Sequence, residues 1–426
     1  MGTGIRKIVV SCFIAASSVY VDAGNLSPDE CTRRRSHALQ AEHDMLTQRF
    51  LKCVEKGSDD ALYRSAYELQ EFRIANRETL PDVYPHIYNS PCAEARYWQR
   101  YRQRLPDWSS MLVKVRSSID SSEQPCHFWA PEKARTTAVP LVVGLHTWSG
   151  DFTYLSHYAT VFSYAKKLGW AFVGPNFRGP NNTYVACGHD YAVQDIVDAV
   201  NYARSNANID PSRIYIIGGS GGGHMTLLML GRRPDIFAAG AAFCPITDLA
   251  KWHAESLEEH PGRGKTYAKM LESACGGTPE RKAKEYLQRS PLTWLERARE
   301  CGVPVYIGTG IHDGWRGSVP VGHSIRAFNA LADAKDRISG NDIDYIEKNQ
   351  SVPSALVFRG SDPFYGENRR IHLRRTSANA RLTLFEGGHD VNYAAGIDFL
   401  SRQRKGDKAD WTLPAQAMGD SEALTR

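Results

Sequence analysis

The residues best equipped for chemistry lie in the stretch Ile214-Tyr-Ile-Ile-Gly-Gly-Ser-Gly-Gly-Gly-His224. Four apolar residues run straight into Gly218-Gly219-Ser220-Gly221-Gly222, and Met225 to Leu230 continue as an apolar helix. A strand, a sharp turn tipped by serine and a following helix make a nucleophile elbow. The glycines two before and two after the serine let strand and helix pass with no Cβ between them. The helix N-terminus beneath the serine favours negative charge developing there.

A serine hydroxyl is a poor nucleophile near neutral pH. It needs a base within hydrogen-bond reach, and the base needs an acid to orient it. His389, in Phe385-Glu-Gly-Gly-His-Asp390, directly follows an apolar stretch and is the expected base. For the acid, Asp313 ends Tyr306-Ile-Gly-Thr-Gly-Ile-His-Asp313 and is favoured; Asp362, in Arg359-Gly-Ser-Asp-Pro, is the second candidate. Ser220, Asp313 and His389 stand in the chain order expected of such a triad. His312 and His323 read as structural, and His224, behind the elbow, reads as packing or capping. The oxyanion of a tetrahedral intermediate needs two backbone donors. One is expected at Gly221, the other at Thr147 or Trp148 in His146-Thr-Trp-Ser-Gly150. Trp148 and Arg178, in Phe177-Arg-Gly-Pro180, are the candidate substrate contacts; Arg178 suits an ion pair equally well.

Such groups must be held at the ends of strands. Met111–Arg116 and Pro125–Ala130 predict two strands around a polar turn, and the wholly apolar Val139–Leu145 predicts a strand buried on both faces. From there strands (170–174, 214–219, 237–243, 303–308, 381–385) alternate with helices (158–167, 190–207, 225–230, 323–335, 391–401). That alternation predicts an α/β chain with a mostly parallel sheet covered by helices on both faces, here the α/β-hydrolase fold. Residues 255–300 are polar and helical, interrupt the alternation, and suit a cap.

The flanks differ in kind. Arg6 and Lys7 precede an apolar run from Ile8 to Tyr20 and then Val21-Asp22-Ala23, which predicts a signal peptide over 1–23 and a secreted chain. Residues 24–110 predict a helical N-terminal extension, 111–403 the catalytic domain and 404–426 a flexible tail. Nine cysteines include eight beyond the signal, an even set that suits disulfides in an exported chain. If 29–54 is one helix, Cys31 and Cys53 are about 33 Å apart at about 1.5 Å per residue, beyond the roughly 7 Å a disulfide allows. The spacings make no paired zinc knuckles, so no metal is expected, and the chemistry needs no cofactor. A net charge of +5 without a dense basic run argues against nucleic acid. The signal's apolar run is too short for a stable membrane span. Asn25, Asn181 and Asn349 each open a glycosylation sequon.

With these motifs assembled, residues 111–403 resemble the catalytic domain of the prolyl oligopeptidase family. The resemblance rests on the Leu145–Gly150 loop, Asn176-Phe-Arg-Gly179, Asp210-Pro-Ser-Arg-Ile-Tyr215, Phe243-Cys-Pro-Ile-Thr-Asp248, Gly310-Ile-His-Asp313 with Val319-Pro320, and Gly388-His389. It implies the triad Ser220, Asp313 and His389. The chain departs from that pattern in the His-Thr-Trp-Ser-Gly loop, the inserted Gly314-Trp-Arg-Gly317 and the long segment from about Gly340 to Ser377. The first 110 residues leave no room for a β-propeller. Propeller-less relatives of this kind are often esterases. A small-molecule ester is therefore the first expected substrate and a peptide the second. A non-catalytic binding protein on the same scaffold is the third reading.

Overall fold

The computed structural model describes residues 28–56, 108–258, 266–366 and 369–413, together with a few positions between 61 and 72. The expected signal peptide and most of the segment between 57 and 107 lie outside the described residues. Helix α1 (Pro28–Lys56) runs unbroken, so Cys31 and Cys53 sit on one helix and cannot reach each other.

The apolar runs become nine strands: β1 (Leu112–Arg116), β2 (Glu123–Trp129), β3 (Val139–Leu145), β4 (Ala171–Pro175), β5 (Ile209–Gly219), β6 (Ala239–Phe243), β7 (Val305–Gly310), β8 (Ile371–Ser377) and β9 (Ala380–Phe385). They form one sheet in the order β1-β2-β4-β3-β5-β6-β7-β9-β8. The central strands β4-β3-β5-β6-β7-β9 are parallel, and β1, β2 and β8 add antiparallel edges. Sequence reading missed β8. Its residues alternate burial, with Ile371 and Leu373 inward and His372 and Arg374 half-buried, which is the pattern of an edge strand inside a long polar segment.

Helices α2 (Leu155–Leu168), α3 (Asp190–Asn206) and α4 (Gly221–Arg232) follow in the first half. Helices α5 (Leu249–Leu257), α6 (Thr266–Cys275), α7 (Ala283–Arg289) and α8 (Leu295–Glu300) make up the region expected as a cap. Then come α9 (Gly322–Leu331), α10 (Gly340–Asn349) and α11 (Tyr393–Ser401). Alternate residues of each central strand serve opposite faces. Val143 and Ile216 join α3, α4 and α9 in one core; Val142 and Ile217 join α2 and α11 in the other. This two-faced parallel sheet is the α/β-hydrolase fold, and it explains why β3 carries no polar residue: water reaches neither side. Phe50 of α1 joins the second core.

Residues 404–413 do not behave as a loose tail. Trp411 stacks on Phe399 at 5.0 Å between ring centroids and lies under the Arg381 guanidinium at 4.8 Å. Gln403 is buried and donates to the Asp410 carbonyl. A tryptophan within a polar stretch offered enough apolar surface to dock it. The disulfide expectation also fails for the cysteines whose side chains are clear: Cys126, Cys187, Cys244, Cys275 and Cys301 are free thiols. All but Cys301 are buried in apolar packing, where a thiol serves as a small hydrophobe.

Candidate functional site

Ser220 sits between β5 and α4 with φ 57° and ψ −120°, a conformation that non-glycine residues seldom adopt. The strain is held from both sides. The Ser220 N–H donates to the Phe243 carbonyl at 2.8 Å, and the His224 N–H donates to the Ser220 carbonyl at 2.9 Å. The neighbouring glycines are a requirement of space. A Cβ on Gly221 would fall 2.4 Å from the Trp148 backbone nitrogen, and one on Gly222 would fall 2.6 Å from the Leu145 carbonyl oxygen. The loop after β3 thus passes directly over the start of α4. It brings the Trp148 main chain beside Gly221, with Thr147 one peptide further away. The Trp148 carbonyl is held by the Asn181 N–H at 2.8 Å, which fixes the orientation of that loop.

Asp313 follows β7 and His389 follows β9, adjacent parallel strands whose C-terminal ends lie side by side. The His389 Nδ1–H points at the Asp313 carboxylate, 2.8 Å from Oδ2 and 3.0 Å from Oδ1. Asp313 is buried and accepts further from the Gly314 N–H at 2.9 Å and the Val319 N–H at 3.3 Å. Burial alone would lower the His389 pKa; Asp313 and Cys244 beside it together outweigh burial and raise it well above the usual imidazole value. His389 is one-quarter exposed at its side chain, while Asp313 is sealed, so only the ring faces the cleft. The elbow and this loop meet: Val391 packs against Gly219, and the Cys244 thiol, just past β6, donates to the Asp390 carbonyl at 3.1 Å.

Asp362 is not in this assembly. Its carboxylate pairs with Arg374 at 2.7 Å and accepts the Phe364 N–H, so it is a structural acid. Arg178 takes the ion-pair alternative. Its guanidinium is spread over Asp120, Asp195, Ser117 and Ser122, at 2.5–3.2 Å, with Tyr191 beneath it at 5.1 Å. The two carboxylates neutralise the guanidinium, so its charge is committed to holding this corner of the fold. His224 donates to the Arg289 carbonyl at 2.7 Å, and burial pulls its pKa down to about 4, so it packs as a neutral ring. His323 accepts the Thr247 N–H at 3.1 Å and donates to Glu255 at 2.9 Å. His312 donates to Glu386 at 2.9 Å and meets the Gln350 side-chain oxygen at 2.8 Å. Trp148 turns its indole away into the cap, where it packs edge-on to Trp252 at 4.8 Å and is almost fully buried.

Two residues of the site escaped sequence reading. Cys244 lies within Phe243-Cys-Pro-Ile-Thr-Asp248, and its position at a strand's C-terminal end was the available signal. Glu386 lies three residues before His389 and holds both His312 and His372, each at 2.9 Å, on one carboxylate.

Residues 156–344 match the model of the prolyl oligopeptidase family. Feruloyl esterase B of Neurospora crassa is 30% identical over 154 residues, covering 34% of this chain and 48% of that protein. Dipeptidyl aminopeptidase BIII of Pseudoxanthomonas mexicana is 30% identical over 189 residues, covering 41% of this chain and 25% of that protein. The chain thus spans about half and about a quarter, respectively, of these relatives' lengths. Among solved structures, the acylaminoacyl peptidase of Pyrococcus horikoshii aligns over 74% of this chain and 43% of its own, at 17% identity and a TM-score of 0.46. No described helix is long and apolar enough to cross a membrane.

Proposed function

The catalytic region of this chain belongs to the prolyl oligopeptidase family, and from that premise we propose a serine hydrolase whose preferred substrate is a small carboxylic ester. The observation that carries the proposal is the His389–Asp313 hydrogen bond, made between loops at adjacent strand ends, beside a serine held at φ 57°. In the reaction Ser220 Oγ attacks the acyl carbon and His389 Nε2 takes its proton. Asp313 holds the ring by Nδ1 and stabilises the imidazolium. The backbone N–H groups of Gly221 and Trp148 receive the oxyanion; of Thr147 and Trp148, the latter's main chain lies closer to Gly221. His389 then protonates the leaving group. Water, deprotonated by the same ring, releases the acid from Ser220.

The ester preference draws support from length: the chain spans a larger share of feruloyl esterase B than of the aminopeptidase. Peptide hydrolysis is the second reading, favoured by the aminopeptidase's equal identity over a longer stretch. Secretion is part of the proposal and rests on the composition of residues 1–23. Methyl ferulate and p-nitrophenyl acetate set against an aminoacyl p-nitroanilide separate the two substrate classes. Ester turnover is expected to dominate. Ser220→Ala should abolish it with the circular dichroism spectrum unchanged. Full activity in that variant would remove Ser220 from the mechanism.

A further inference from the structure

The candidate triad has an unusual neighbour that hydrolysis leaves without a task. Cys244 follows β6, as Asp313 follows β7 and His389 follows β9, so three adjacent parallel strands deliver a thiol, a carboxylate and an imidazole to one place. One ligand-capable atom from each lies within 4.8 Å of the other two. Two of the three are held by the main chain around them. The Cys244 N–H donates to the Gly308 carbonyl at 2.9 Å and its thiol to the Asp390 carbonyl at 3.1 Å. Asp313 is fixed by Gly314 and Val319, and Thr309 Oγ1 lies 3.3 Å from Asp313 Oδ2 and 3.6 Å from Cys244 Sγ.

We propose that Cys244, Asp313 and His389 form a three-ligand site for a soft divalent cation, Zn²⁺ or Cd²⁺, whose binding turns the hydrolase off. The proposal rests on the triad assigned above. Thiolate, carboxylate and imidazole are the donors that Zn²⁺ prefers, at bond lengths of about 2.0–2.3 Å in a tetrahedron. Those lengths put ligand atoms roughly 3.2–3.8 Å apart, so a separation at the 4.8 Å limit closes by about 1 Å while the 2.8 Å His389–Asp313 contact opens slightly. Charge balances as well. The cation displaces the thiol proton, and the neutral imidazole keeps its one proton on the nitrogen that does not bind; the thiolate and carboxylate together then neutralise the two charges. Entry is from the cleft, where His389 is exposed and the other two are not. With a metal between them, Asp313 no longer orients the ring and His389 no longer serves Ser220. Three donors separated by about 70 residues at each step leave no spacing motif, which is why the sequence pattern carried no hint of the site.

Binding and activity are measured separately. Calorimetry with Zn²⁺ on the Ser220→Ala chain should show one site with proton release, and Cd²⁺ should produce a thiolate charge-transfer absorption band. Cys244→Ala in that background should weaken binding about 100-fold and erase the band. Cys244→Ser serves as the second variant should the alanine fail to fold. In the chain with Ser220 intact, Zn²⁺ should inhibit turnover, EDTA should restore it, and either Cys244 variant, scored against its own metal-free rate, should resist. Equal Zn²⁺ affinity with and without Cys244 overturns the proposal, as does inhibition that persists in both variants. Cys244-dependent binding that leaves turnover untouched keeps the metal site but removes the inhibitory role, and it points to a failure of the triad assignment instead.

Discussion

Two insertions flank the same edge of the sheet and hold the site in opposite ways. The cap helices α5–α7 grip the loop after β3 with apolar surface. Trp148, Ile246, Leu249, Trp252, Leu271 and Val319 form a sealed cluster, and Trp252 donates its one polar hydrogen to the Ser318 carbonyl at 2.7 Å. The segment around α10 and β8 grips the loops of Asp313 and His389 with directed polar bonds. Gln350 meets His312, Glu347 accepts from Trp315 through its carbonyl and from Arg326 through its carboxylate, and Glu386 ties His312 to His372. Apolar packing is non-directional and strong, so it contributes mostly to stability. Hydrogen bonds are individually weak but fix angles. The loop after β3 is thus secured by burial, and the Asp313–His389 pair is aligned by geometry.

That contrast separates rate from stability, and it can be broken at either end. The largest effect is expected from Asp313→Asn, which leaves the ring hydrogen-bonded but with its proton on the wrong nitrogen. Turnover should fall about 10⁴-fold with little change in melting temperature. The pH profile sharpens the point. Burial lowers the His389 pKa and Asp313, with Cys244, raises it by more in sum, so the acid limb of the wild-type rate should lie above the ordinary 6.5. Since the base must be neutral, activity rises with pH through that limb. In Asp313→Asn the residual activity should show the limb displaced to lower pH.

On the apolar side, Trp252→Ala should cost about 3–5 kcal/mol of unfolding free energy, read by denaturant titration, because the indole is wholly buried. Next comes the charged clamp between α5 and α9. Burial raises the Glu255 carboxyl, but His323 and Lys251 outweigh it and hold it near a pKa of about 2. Its contribution to stability is therefore complete above the ordinary 4.5 and fades as pH falls toward 2. Glu255→Gln should flatten that part of the acid-unfolding curve. The smallest effect belongs to Glu386→Gln. About a tenfold loss in kcat is expected, with KM nearly unchanged and stability moved by less than about 1 kcal/mol, because the carboxylate is more than one-third exposed. A melting loss equal to that of Trp252→Ala, with kcat intact, would erase the distinction between the two insertions.

Much of this was legible in the chain. The elbow could be read because its glycines are required by close main-chain approach, and such requirements leave a local spacing in sequence. Asp313 and His389 could be read because each directly follows an apolar strand. Asp362 also followed apolar residues, Ala355 to Phe358, yet these form a 3₁₀ turn and an extended segment, and the partner of Asp362 is Arg374. Telling the two acids apart needed strand order, because only β7 lies beside β9 on its parallel side. Arg178 was undecidable for the same reason: Asp120 and Asp195 are 58 and 17 residues away. Residues 404–413 were misjudged because one tryptophan weighs little in a polar stretch, although its stacking decides where that stretch lies.

The indole pair at the junction of the α5–α7 helices and the loop after β3 has a practical consequence. Trp148 belongs to the loop and Trp252 to the cap, and their rings meet at 4.8 Å with planes 76° apart. At that separation the electronic transitions of the two indoles couple, so the pair is a native spectroscopic gauge of the loop–cap junction. Its circular dichroism signal, identified by difference against Trp252→Phe, allows seating of the cap to be followed during ligand binding or heating without an attached label.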